Sequence, residues 1–143
     1  MDTRKRSAIQ ALLWSSYVGM SLAMIANFGQ VSGSFIFSMI FMAVGLWVST
    51  ETLRALALRQ GWLDRSPRAL LLRLLLLPAL FAIALQVLMF VVNRAGVLVG
   101  LLTFPPGMPR GVLMLMSYAV NTAVLLWLWL AVWVGVTLSL IHI

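Results

Sequence analysis

The sequence predicts an all-α fold: a polytopic membrane protein built as a bundle of four transmembrane helices. Three observations lead there. Of the 143 residues, 63% are hydrophobic and the mean hydropathy is +1.07, more apolar surface than a soluble domain of this size can bury. The apolar residues gather in four runs, at about 8–27, 31–50, 69–92 and 112–134. Each matches the roughly 20 residues a helix needs to cross a hydrocarbon core of about 30 Å. Turn-forming and charged residues fall between the runs. Helices are expected because they satisfy their own backbone polar groups in lipid.

The first run follows Arg4-Lys5-Arg6. A basic start also opens a secretory signal peptide, but this run outlasts a signal core of about 7–15 residues and no clear A-x-A site follows, so an uncleaved helix is expected. Asn27, Gly29, Gly33 and Ser34 mark a tight turn before the second run. The second run ends at 51-ETLRALALRQGWLDRSPRALLLR-73, read as a loop over 51–68. Ser66-Pro67 looks like an N-cap followed by proline at the first helical position, opening the third helix. Pro78 should kink that helix. The run 103-TFPPGMPRG-111 cannot continue a helix. The fourth run starts near Val112 and holds 127-WLWLAVW-133. With Trp14, Trp47 and Trp62, these tryptophans read as interfacial aromatic belts, the other reading being a chromophore or quinone site. Trp62 is expected at headgroup level.

The net charge is +7, with Asp2, Glu51 and Asp64 the only acids. Such a balance can signal nucleic acid, but the apolar fraction places the charge at a membrane surface instead, so no nucleic-acid partner is expected. Arg4, Lys5 and Arg6 precede the first helix; Arg54, Arg59, Arg65 and Arg68 lie between the second and third, with Arg73 just beyond. The 93–111 loop holds only Arg94 and Arg110, and the first turn holds neither Lys nor Arg. The positive-inside rule therefore puts both termini and the 51–68 loop in the cytoplasm. Arg73 should snorkel toward that face, and the lipid bilayer is the first expected partner.

Ala11, Ser15, Gly19, Ala23 and Asn27 recur at four-residue spacing on the first helix. Such a stripe lets another helix backbone approach closely, either inside the four-helix bundle or across a dimer seam. The second helix has a weaker version at Ser34, Ser38, Gly45 and Ser49. Gln86 and Asn121 are polar residues at membrane depth; each is expected to hydrogen-bond another helix, with ligand binding as the other reading. Catalytic residues are not expected. Cysteine is absent and the sole histidine is His142, which excludes thiolate metal sites and bis-histidine haem ligation. No carboxylate lies mid-membrane, against a proton-coupled drug exporter. No nucleophile–base pair or phosphate loop is visible. No cofactor or metal is expected in this chain.

From Gly111 to Ile143 no formal charge occurs. Measured from Val112 that is about 32 residues, or roughly 48 Å of helix, well over one bilayer. A basic flank should follow a helix that exits into the cytoplasm, and its lack suggests that residues 1–137 are the membrane region of a longer protein. The ending LSLIHI resembles translated sequencing-adapter read-through, so 138–143 is read as a non-native tail.

The loop form LRALALRQGWLDRSPRALLLRLLL resembles the N-terminal membrane region of LytS-like (autolysin- and alginate-regulator type) bacterial sensor histidine kinases. Thr52, Leu53, Arg54, Arg59, Gly61, Trp62, Leu63, Leu72 and Arg73 carry the resemblance. Asn121 ahead of Trp127, Trp133 and Gly135 fits the Trp-rich last helix of such proteins. The resemblance covers about residues 1–137 and implies a membrane-embedded input and dimerisation region. It further implies a homodimer, a LytTR-type response regulator as partner, and ATP with Mg in a kinase domain beyond this chain. The chain departs from the pattern in lacking a phosphoacceptor histidine and an ATP-binding domain, so no catalytic residue carries over. The alternative is a complete small four-helix integral membrane protein, such as a transporter component or an assembly or structural subunit.

Overall fold

A computed structural model describes residues 3–28, 31–64, 66–104 and 112–141, with side chains for 8–27, 31–63, 66–104 and 115–139. The fold is all-α. Four long helices follow one another: α1 (Thr3–Phe28), α2 (Gly33–Arg59), α3 (Pro67–Leu98) and α4 (Val112–Ile141), with one 3-10 turn at Trp62–Asp64. All four contain a stretch long and apolar enough to cross a membrane. At most a third of each stretch is buried by the protein. Leu71, Leu76, Met20 and Val132 are each more than half exposed, and surfaces of this extent mark a lipid-facing exterior. The chain is a multi-pass membrane protein.

The helices outrun the apolar runs. α2 continues past Ser49 through Glu51 and Arg54 to Arg59, so most of the expected 51–68 loop is helix. α3 likewise includes Asn93 and Arg94 and ends at Leu98. The cause is local. Charge ends a membrane span but does not break a helix, whereas glycine at a left-handed position does. Gly61 has φ 57° and Gly100 has φ 74°. After α3, Leu101 N–H donates to Gly96 C=O (2.9 Å) and Gly100 N–H to Val97 C=O (3.1 Å), the paired bonds of a Schellman cap. Gly96 is also a close approach: a Cβ there would stand 2.5 Å from Leu102 Cδ1. At the other ends, Ser32 Oγ accepts from Phe35 N–H (3.4 Å) at the start of α2, an N-cap geometry. α3 begins at Pro67 as expected, with Leu70 N–H donating to Ser66 C=O at 3.0 Å.

The chain divides into two compact units. The first holds residues 1–47 and 87–110: α1, the first half of α2 and the end of α3. Its described long-range polar contacts link α2 to α3 and the segment after it. Ser38 Oγ lies 3.0 Å from Asn93 Oδ1 and 2.9 Å from Ser34 C=O, and its single proton serves one acceptor at a time. Thr103 N–H donates to Ser34 Oγ (2.8 Å), and Phe104 packs edge-on against Phe35.

The second unit holds 48–86 and 111–143: the second half of α2, the 3-10 turn, the first part of α3, and α4. Its core gathers Ala57, Trp62, Leu130 and Val134, with Leu70, Leu74 and Trp133 packed around them. α3 contributes Pro78, Ala82, Leu85 and Gln86 to the buried set; α4 contributes Ala119, Thr122, Ala123, Leu126, Leu130 and Val134. Both sets keep the three-and-four spacing of a helix face.

Candidate helix-packing and membrane-interface sites

The side chains of Arg4, Lys5 and Arg6 lie outside the described residues, as do Arg65, His142 and much of the 138–143 tail; the three basic residues occupy the first turn of α1. Arg54, expected only as a topology charge, is engaged with Glu51 one turn back. Its Nη2 and Nε donate to Glu51 Oε2 at 2.9 and 3.2 Å. The pair is partly buried, and its spacing is the stabilising i,i+3 arrangement on a helix. Arg59 is exposed as the last residue of α2, where a cation complements the helix dipole. Arg68 is exposed in the first turn of α3, and Arg73 is half-buried with Nη1 enclosed and not hydrogen-bonded.

Trp62 is fully enclosed, and its Nε1–H donates to Gln60 Oε1 (3.1 Å). Its ring holds the α2–α3 connection to the core of the second unit. The tryptophan expected at headgroup level has its ring packed by protein. Gly61 explains why: its left-handed turn redirects the chain so that the next residue points back onto Ala57, one turn inside α2.

The two membrane-depth amides part company. Gln86 is buried, and its Nε2 donates to Thr122 Oγ1 across α3 and α4 at 2.8 Å. This meets the expected interhelical bond. Asn121, one residue before that partner, is exposed, so the expected bond to another helix of the chain is not made. The sequence reading missed Asn93 as a bridging amide, because Arg94 beside it marked the end of the span.

Pro78 lies inside an unbroken α3 and is fully buried. Proline leaves the carbonyl four residues earlier without its helical donor and pushes the helix open there. Trp127 Nε1–H donates to Leu75 C=O at 3.1 Å, one residue beyond that carbonyl. A neighbouring helix thus places a donor on the same turn of α3, beside the carbonyl that proline leaves without one. Trp129 and Trp133 stack one turn apart, with centroids 6.4 Å apart and rings 2° from parallel. The 127–133 tryptophans therefore include a donor to the α3 backbone and a packed stack.

The small-residue stripes also diverge. On α2, Ser34, Ser38 and Ser49 are buried, so the weaker stripe is used within the chain. On α1, Ala11, Ser15, Gly19, Ala23 and Asn27 are all exposed. A Cβ added to Gly19 would meet nothing within 4 Å. The expected packing of this stripe inside the bundle is therefore not made. The face of α1 turned inward carries Gln10 and Trp14, each 4% exposed. Neither the Gln10 amide nor the Trp14 indole N–H has a hydrogen-bond partner.

Beside that face runs an apolar groove of roughly 300 Å³ within the first unit. Trp14, Ser15 and Val18 of α1 form one wall, and Ile40, Ala43 and Trp47 of α2 the other. Among the described residues no cluster of His, Cys, Asp or Glu could hold a metal ion. Comparison with protein-family models, curated proteins and solved structures gives no match.

Proposed function

We propose that the chain is the membrane-embedded input and dimerisation region of a two-component sensor histidine kinase of the LytS-like kind, with both termini in the cytoplasm of a bacterium and the body in its inner membrane. The observation that carries this reading is the exposed stripe of α1. Small residues at four-residue spacing are a helix-association surface in lipid, and here the chain itself leaves them uncovered from Ala11 to Asn27. Asn121 on α4 adds a second exposed polar group at membrane depth, the kind of residue that joins helices of separate chains. Pairing of two copies through α1 supplies the dimer on which a histidine kinase depends.

In this reading a stimulus biases the arrangement of the helices, and α4 passes the change to a kinase domain that follows the membrane region 1–137. That domain uses ATP and Mg to phosphorylate a LytTR-type response regulator. A signal acts in such a protein by binding two packings unequally. The basic residues around the α2–α3 connection support a cytoplasmic placement of that end. The test is the DNA downstream of codon 137. A reading frame that continues into a phosphoacceptor helix and an ATP-binding domain supports the proposal; a stop codon directly after a native Ile143 overturns it.

A further inference from the structure

We draw no further inference here: the strongest candidate, the apolar groove between α1 and the first half of α2, shares Ala11 and Ser15 with the α1 stripe already assigned to self-association, and nothing in the structure shows what covers the rest of it.

Discussion

Removing the Thr122 hydroxyl tests whether α3 and α4 are joined as described. Thr122→Val keeps the side-chain shape and deletes the acceptor of the 2.8 Å bond from Gln86. Interhelical hydrogen bonds in membranes contribute about 0.6 kcal/mol on average and up to about 1.7 kcal/mol. Thr122 is 1% exposed and Gln86 9%, so water does not replace the lost partner and the upper part of that range applies. Gln86 has a further interaction, which keeps the loss below the roughly 3 kcal/mol of a wholly orphaned polar group. The expected destabilisation is about 1–1.5 kcal/mol. Paired with Gln86→Met in a double-mutant cycle, it should give a coupling of about 1 kcal/mol. The assay is reversible unfolding of the purified chain in mixed micelles, with denaturing detergent as the variable and far-UV circular dichroism as the readout. Val120→Leu is the internal comparison. It changes an exposed apolar position of the same helix and should shift stability by no more than about 0.5 kcal/mol. A coupling within about 0.3 kcal/mol of zero would refute the reasoning, as would a Val120 effect larger than that of Thr122.

Gly100→Ala should destabilise the chain by about 1–2 kcal/mol in the same unfolding assay, the usual cost of a left-handed position for a residue with a Cβ, since Gly100 has φ 74°. Gly96→Ala should cost about 1 kcal/mol by driving a Cβ into Leu102, 2.5 Å away, and Leu102→Ala should restore most of the loss in a double mutant. Trp62→Ala should be the most damaging of these, at about 3 kcal/mol or more, because the ring is fully enclosed against Ala57, Leu130 and Val134. Gly19→Ile, by contrast, changes an exposed position where an added Cβ meets nothing within 4 Å; it should leave unfolding unchanged and weaken self-association about tenfold, or roughly 1.4 kcal/mol, in a bilayer energy-transfer assay.

Spans and helices proved to be separate quantities in this sequence. Hydropathy locates where lipid ends, and it placed four runs correctly on four helices. It put the end of α2 near residue 50 because Glu51 and Arg54 follow. Those two residues pair with each other along the helix, so they leave the lipid without leaving the helix. The stop signal was nonetheless in the sequence: a basic residue in the last turn, Arg59, followed by Gly61, is a helix C-terminus pattern. The same holds for α3, where Gly100 and not Arg94 ends the helix. The Ser66-Pro67 start was legible for the complementary reason, since capping chemistry is local and is encoded within a few residues.

What was not legible is which partner covers a given face. α1 and α2 both carry small residues along one helix face, yet the α1 stripe is exposed and the serines of the α2 stripe are buried. The difference arises far along the chain. Ser34 is covered because Thr103, 69 residues later, returns to donate to its hydroxyl, and Ser38 because Asn93 sits 3.0 Å away. No window of sequence around α2 contains that information. Gln86 and Asn121 repeat the lesson, for both are amides at membrane depth and only one meets a partner in its own chain. A stripe states that a close contact is permitted; the rest of the chain decides whether that permission is spent internally. On α2 it is. On α1, Gly19 with open space around it and four exposed neighbours at helical spacing show that it is not. That is why self-association is the property to measure first, and why Gly19→Ile separates it from folding.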